Sequence, residues 1–277
     1  MKQFICMAML FIAPLLSNAQ MSYEMADSVA LEETLDLLPA NSNNTPFSPL
    51  SKKPGFISRS AQYLVPAAMF GFGMVAKSSP ALQSFDLKIR SEVLAEENRP
   101  ISRKLEDKLQ YVPAYSVFAL NALGLKSENK FIDRLALYAI SNTIMSKTVH
   151  KLKTASGRLR PDGSNNRSFP SGHTATAFST AEFMRLEYKD ASPIYGIAAY
   201  TIAATTGALR LYHNVHWFSD VVAGAGIGIL STDLTYFVYP KVKKFVSSSI
   251  GFKPKNLHIS PTYQSGTAGL AIVYNPK

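Results

Sequence analysis

The chain is almost free of cysteine. Its one cysteine, Cys6, lies in an apolar stretch over residues 4–16 that follows the positive charge of Lys2. Small residues at 17–19 follow this stretch, and this order of features is typical of a secretory signal peptide over residues 1–19. We therefore expect a mature chain without any thiol, which excludes disulfide bonds, cysteine catalysis and cysteine-ligated metal.

Long apolar runs are also scarce. The apolar, helix-length stretch at 63–76 is shorter than the about 20 apolar residues that a membrane-spanning helix needs. The mean hydropathy of +0.02 is low for a chain with six spans. Helical segments begin near residues 63, 112, 131, 172, 193 and 219. The pattern predicts an all-α helical bundle that is either soluble or associated with a membrane.

Acidic residues are outnumbered by basic ones. The 29 Lys and Arg residues against 19 Asp and Glu residues give a formal net charge of +10. A basic chain suits nucleic acid, anionic lipid or phosphorylated substrates. Charge alone does not choose among these partners, so the choice depends on the motifs.

The two ends of the chain differ from its middle. Residues 20–60 are polar and contain several prolines, which indicates an N-terminal arm with at most one short helix, at 29–38. Residues 61–245 hold the helical segments and form the predicted domain. Residues 246–277 are first basic and then β-like, so we expect a short C-terminal tail with a β-hairpin. In the last helical segment, Ser219 is the expected N-cap and Pro240 the expected end.

Three short segments between residues 153 and 220 carry most of the groups with an obvious chemical use. They are Lys-x6-Arg-Pro at 153–161, Pro-Ser-Gly-His at 170–173 and Arg-x5-His-x3-Asp at 210–220. The fixed cations Lys153, Arg160 and Arg210 suit the peripheral oxygens of a phosphoryl group. Any one of them alone is more typical of a solvated surface charge, so the prediction depends on their combination.

The second and third segments add donors and titratable groups. Ser171 and Gly172 precede a predicted helix, where unpaired backbone N–H groups attract anions. His173, in the first turn, is placed to reach a leaving-group oxygen. His216 and Asp220 are four residues apart, which puts them on one face of a helical turn. A carboxylate that fixes one imidazole nitrogen leaves the other free as a nucleophile, so this pair predicts a covalent phosphohistidine.

Taken together, these three spacings closely resemble the signature of the type 2 phosphatidic acid phosphatase superfamily. That superfamily includes lipid phosphatases, bacterial non-specific acid phosphatases and vanadium haloperoxidases. The resemblance extends over residues 112–238 and leaves both ends of the chain uncovered. It implies a helical bundle of the acid phosphatase and vanadium haloperoxidase type, with about six core helices.

The resemblance also implies a role for each motif residue. The phosphate-binding set, or cradle, would consist of Lys153, Arg160, Ser171, Gly172 and Arg210. His216 would attack phosphorus, Asp220 would orient the His216 ring, and His173 would protonate the leaving group. Water would then cleave the phosphohistidine, so no metal or other cofactor is expected. One departure is Leu209, where the family usually has serine. The lost hydroxyl predicts a cradle weaker by about 1 kcal/mol.

The connection at 162–169 is too short to form a lid domain over the site. The site should therefore be open to a bulky substrate. We expect an extracytoplasmic phosphatase, in the periplasm or cell envelope, that acts on phosphomonoesters or diphosphates of lipids. Lipid A, phosphatidate, phosphatidylglycerol phosphate and undecaprenyl diphosphate are the candidates, and a membrane is an expected partner. Nucleic acid is not expected, and the oligomeric state stays open.

Three alternatives also stay open: a soluble periplasmic acid phosphatase, a vanadate haloperoxidase and a non-catalytic protein that binds anionic lipid. Two sequence features disagree about the side of the membrane on which the motifs lie. If all six helices crossed a membrane after a secretory signal, the number of crossings before the motifs would place them on the cytoplasmic face. The signal favours the opposite face.

Overall fold

A computed structural model describes residues 56–95, 101–250, 257–264 and 267–274. This part of the chain contains eight helices, which confirms the predicted all-α bundle. The helices are α1 (Phe56–Ala76), α2 (Pro80–Leu94), α3 (Lys104–Leu109), α4 (Val112–Ala122), α5 (Phe131–Ser156), α6 (Gly172–Tyr188), α7 (Pro193–Tyr212) and α8 (Phe218–Ile250). Helices α2 and α7 each begin with proline, a residue whose fixed φ and missing N–H suit the first helical position.

Helix α6 lies at the centre of the bundle. It contacts α3, α4, α5, α7 and α8, and its side chains are buried along almost the whole helix. Close packing in a protein interior leaves little room for such a helix to shift. The central position of α6 therefore fixes the Ser171-Gly172-His173 turn at its N-terminus.

Glycines let α8 approach α6 closely. A Cβ added to Gly224 would lie 2.5 Å from the carbonyl oxygen of Ser171, and one added to Gly228 would lie 2.3 Å from that of Ala175. Neither position has room for a side chain. These two glycines belong to a Gly-x-Gly-x-Gly run at 224–228, which lies inside α8 and serves helix packing.

We expect Gly228→Ala to lower the free energy of unfolding by about 1–3 kcal/mol, because the new methyl group must displace the α6 backbone. Gly71→Ala is the matched control, since an added Cβ there meets nothing within 4 Å. That control should be neutral or stabilise α1 by up to about 1 kcal/mol. Thermal unfolding followed by circular dichroism measures both. An unchanged Tm for Gly228→Ala would contradict the close helix contact.

The start of α8 differs from the prediction. The helix begins at Phe218, so Ser219 lies in its first turn and is not the N-cap. Asp86 of α2 accepts hydrogen bonds from the Ser219 backbone N–H at 2.9 Å and from its hydroxyl at 2.6 Å. A carboxylate from another helix therefore satisfies a donor of the first turn that a cap would otherwise serve.

The end of α8 also differs, because the helix runs through Pro240 to Ile250. Proline removes one backbone hydrogen bond and usually ends a helix. Here Tyr239 and Lys243, on either side of the proline, both donate to Asp133 of α5, at 2.7 and 2.5 Å. These two contacts hold the helix to α5 across the proline.

The last described residues form the predicted β-like tail. Strands β1 (Leu257–Gln264) and β2 (Thr267–Tyr274) pair antiparallel, with Leu257 opposite Tyr274 and Gln264 opposite Thr267. The predicted signal peptide at 1–19 and the predicted short helix at 29–38 lie outside the described residues. The domain boundaries after residues 60 and 245 stay predictions.

One stretch of the described residues, Phe218–Val246, is long and apolar enough to cross a membrane. Most residues of its most apolar part are buried inside the protein, and the apolar helices at Gln62–Ala76 and Val112–Ala122 are shorter. The core helix of a soluble protein has the same properties, so this stretch is weak support for a membrane span.

Candidate active site

The three predicted segments meet at one end of the bundle. Helix α5 ends at Ser156, and the left-handed φ of 56° at its C-cap, Gly157, turns the chain into the loop before α6. The Ser168 backbone N–H donates to the Arg158 carbonyl at 2.9 Å and closes this loop. The Ser171 N–H donates to the Asp220 carbonyl at 3.0 Å. The start of α6 is thereby joined to the start of α8, and the second segment to the third.

The predicted nucleophile and its carboxylate are both buried at this junction. His216 Nδ1 lies 3.5 Å from Asp220 Oδ2, a separation longer than an ordinary hydrogen bond but short enough for the charge to orient the ring. The same carboxylate oxygen accepts from the Trp217 N–H at 3.0 Å and from the Ser168 hydroxyl at 2.5 Å. Asp220 is thus held by fixed donors, and Nε2 is the imidazole nitrogen that faces away from it.

Burial decides the charge of His216. It lowers the pKa of His216 to about 3, and the nearby cations Lys153 and Arg210 add to this effect, while Asp220 opposes it. The desolvation cost of an imidazolium exceeds the attraction of the carboxylate. His216 is therefore neutral near pH 7, which is the form that acts as a nucleophile.

Two of the predicted cations, Lys153 and Arg210, lie near this imidazole, and Arg160 lies near both of them. The Lys153 ammonium, in the last turn of α5, donates to the Arg167 carbonyl at 2.8 Å. Burial and the positive charges of Arg160 and Arg210 lower the pKa of Lys153 to about 8, against the attraction of Asp220. Like charges so close together are unfavourable unless an anion binds between them.

The side chains of Arg160 and Arg210 keep donors unused. The Nε atoms of both are buried and have no hydrogen-bond acceptor in the part of the chain that the structure describes. Buried donors are normally satisfied, and a phosphoryl group offers three strong acceptor oxygens. This observation supports the predicted cradle.

The Pro-Ser-Gly-His segment begins α6 as predicted. The Ser171 hydroxyl is fully buried and serves as N-cap, with Thr174 Oγ1 2.8 Å away. Its predicted contact with phosphate stays a prediction. A Cβ on Gly172 would lie 3.7 Å from Lys153 Cε, so the ammonium side chain runs against this turn.

His173 lies in the first turn of α6 and is partly exposed. Its Nε2 is 2.7 Å from Asp107 Oδ1 of α3. Burial and the charge of Arg210 lower the pKa of His173, while Asp107 raises it. The imidazole is therefore held at the edge of the cation cluster, and its predicted role as acid stays a prediction.

Residues from α2 and α3 belong to the site, although sequence reasoning missed them. Glu106 of α3 is fully buried, forms an ion pair with Arg210 and lies 2.7 Å from His213 Nδ1. Asp86 of α2 is bound to Arg158 at 2.7 Å. In the sequence, both residues lie in a charged stretch at 81–109, whose amphipathic pattern is typical of surface helices and gives no sign of a site.

Leu209, the departure from the family pattern, is buried in the core and exposes only 2% of its surface. Its carbonyl accepts the His213 N–H at 2.9 Å. The side chain therefore serves packing, and its effect on the cradle stays a prediction. Among the described residues, no group of three or more His, Cys, Asp or Glu side chains is arranged to hold a metal ion.

Comparison with known proteins identifies the same part of the chain. The model of the PAP2 superfamily matches residues 134–244, which include every predicted site residue. This region, which extends from α5 into α8, is therefore similar to the PAP2 superfamily.

The similar proteins match only part of this chain, and the curated relatives are longer than the matched region. A lipid A 1-phosphatase of Porphyromonas gingivalis is 40% identical over 136 residues, covering 49% of this chain and 31% of that protein. A lipid A 1-phosphatase of Rhizobium etli is 27% identical over 132 residues, covering 42% and 55%. The matched part therefore spans about a third to a half of these relatives. The crystal structure of a transmembrane PAP2 type phosphatidylglycerolphosphate phosphatase from Bacillus subtilis is 23% identical, with a TM-score of 0.47, covering 65% of this chain and 98% of that chain.

Proposed function

We propose that the protein is a metal-independent phosphatase that hydrolyses phosphomonoesters or diphosphates of lipids through a phosphohistidine. One observation carries this proposal. His216 is buried and neutral, and it is oriented by Asp220 beside the three cations Lys153, Arg160 and Arg210. Three cations around a neutral nucleophile suit a dianionic phosphoryl group in preference to a neutral ester or amide.

In the first step, the lone pair of His216 Nε2 attacks phosphorus. The bond from phosphorus to the leaving oxygen breaks, and that oxygen takes the proton of the His173 imidazolium. Asp220 stabilises the positive charge that develops on His216, and the cradle holds the three peripheral oxygens. The products are an alcohol or phosphate and the phosphohistidine.

In the second step, water attacks the phosphohistidine. Neutral His173 takes a proton from this water, the phosphorus–nitrogen bond breaks, and inorganic phosphate leaves. His216 regains its lone pair and His173 its proton, so the cycle closes without any other reactant. His173 thus acts first as acid and then as base.

The border of the site supports a lipid substrate. Leu159 is 53% exposed next to Arg160, and Leu105 is 43% exposed next to Glu106. The Trp217 indole N–H donates to the Leu159 carbonyl at 2.9 Å, which joins the backbone of Leu159 to the residue that follows His216. Exposed apolar side chains beside a cation cluster suit a phosphate that is attached to a lipid. The two lipid A 1-phosphatases among the relatives support the same class, and an extracytoplasmic site follows from the expected signal peptide.

Phosphate release by the purified full chain tests this function. We expect turnover of lipid monophosphates or diphosphates, such as lipid A, phosphatidate or phosphatidylglycerol phosphate in mixed micelles, and slower turnover of p-nitrophenyl phosphate. EDTA should leave the rates unchanged. Equal rates on soluble esters and lipids would favour a non-specific acid phosphatase. Halide oxidation only with added vanadate would favour a haloperoxidase, and binding of anionic lipid without any phosphate release would refute the enzyme.

A further inference from the structure

Arg158 lies between the first segment's two predicted cations, but its side chain points to other partners. Its Nη1 donates to Asp220 Oδ1 at 2.7 Å and to the Ser219 hydroxyl at 2.8 Å. Its Nη2 donates to Asp86 Oδ2 at 2.7 Å. The guanidinium also lies 5.5 Å from the centre of the Trp217 ring. Both terminal nitrogens are therefore bound to protein carboxylates.

The two carboxylates that Arg158 joins come from different helices and are almost completely buried, with exposures of 2% for Asp86 and 0% for Asp220. Asp86 also binds both the N–H and the hydroxyl of Ser219, the residue before Asp220. Buried carboxylates need a fixed counter-charge, and a planar guanidinium can serve two of them in one geometry. The result is a continuous chain of contacts from α2 to the His216 ring.

We infer that Arg158, braced by Asp86, is a positioning residue of the phosphatase reaction that fixes Asp220 and, through it, the His216 imidazole. This inference rests on the proposed function. Arg158 occupies Oδ1 of Asp220, so Oδ2 remains for His216, Ser168 and the Trp217 N–H. The guanidinium thereby determines which carboxylate oxygen faces the nucleophile, without touching the substrate.

The test compares Arg158→Gln with Arg185→Gln in the full-length protein. Arg185 forms an ion pair with Glu182, another almost completely buried carboxylate of the bundle, so both substitutions leave a buried charge unpaired. Both variants should melt at lower temperature. We expect only Arg158→Gln to lower kcat of the folded protein, by about 100-fold, because a small misplacement of a reacting group has effects of this size. KM should stay within about threefold, since the cradle cations are unchanged.

A second pair of variants keeps the test decisive if Arg158→Gln does not fold. Asp86→Asn preserves the shape of the brace and should lower kcat at unchanged KM. In an Asp220→Asn background, the same Asp86→Asn change should have no further effect, because coupled residues are not additive. Arg158→Lys keeps the positive charge but loses the second terminal nitrogen. Where Arg158→Gln folds, Arg158→Lys should have a higher kcat than Arg158→Gln.

The outcomes separate the two proposals. Wild-type kcat in Arg158→Gln or Asp86→Asn would overturn the positioning role while leaving the phosphatase intact. An equal loss of kcat on Asp86→Asn in the wild-type and Asp220→Asn backgrounds would also overturn the positioning role, since additive losses indicate a purely structural contact. No phosphate release by the wild-type protein would instead refute the proposed function, and the positioning role with it.

Discussion

The His216→Gln protein should release phosphate more slowly than wild type by at least about 10⁴-fold, the scale seen when a catalytic nucleophile is removed. Glutamine has a similar reach but no nucleophilic lone pair on nitrogen. Substrate binding should survive, because Lys153, Arg160 and Arg210 are unchanged. Phosphate release from a lipid monophosphate, with binding measured separately, checks both parts of this expectation.

The covalent intermediate gives this prediction a direct readout. Wild-type protein quenched during turnover with radiolabelled substrate should carry label that is stable in alkali and released by acid, as a phosphorus–nitrogen bond requires. His216→Gln should carry none. His150→Gln is the matched control, because His150 is an exposed histidine of α5 and surface substitutions change stability by only about 0.5 kcal/mol. Full labelling of His216→Gln would assign the nucleophile to another residue.

His173→Asn should lower the hydrolysis rate of alkyl phosphates by about 10²–10⁴-fold, the usual contribution of a general acid. In the first, phosphohistidine-forming step, the same variant should release p-nitrophenolate with a much smaller loss, because this group leaves without taking a proton. Single-turnover kinetics on both substrates measures this step apart from the second, in which His173 is the base. The ratio of the two losses therefore reports the acid role. Equal losses on both substrates would indicate that His173 holds the substrate and does not protonate it.

The pH profile follows from the same two histidines. His216 must be neutral, which holds above its pKa of about 3, and His173 must be protonated. Since burial and Arg210 lower the pKa of His173 below its ordinary value of 6.5, its protonated fraction falls as the pH rises through an acidic value. The kcat/KM of wild-type protein on alkyl phosphates should therefore decline from acidic towards neutral pH. In His173→Asn this decline of kcat/KM with rising pH should disappear.

The helical bundle and the central site residues were accessible from sequence, because their signals are local. Pro193 at the start of α7, and the Ser171 turn before α6, mark helix starts within a few residues. The His216–Asp220 pair is a four-residue spacing. The motif cations lie at or near the ends of α5 and α7, so the positions of the helices also brought them together.

The supporting contacts were not accessible, since their partners are far apart in the chain. Asp86 and Ser219 are separated by 133 positions, and Glu106 and Arg210 by 104. No spacing rule connects residues at such distances. Pro240 failed as a helix end for the same reason, because the contacts of Tyr239 and Lys243 with Asp133 override a local preference.

The ion pair between Glu106 and Arg210 has a consequence for product release. Glu106 compensates one of the three positive charges of the cradle, which leaves Lys153 and Arg160 to balance the two negative charges of a phosphate dianion. A site with three uncompensated cations would retain inorganic phosphate after each cycle. Because Glu106 neutralises one of them, we expect the proposed site to hold inorganic phosphate less tightly than a site with three uncompensated cations would.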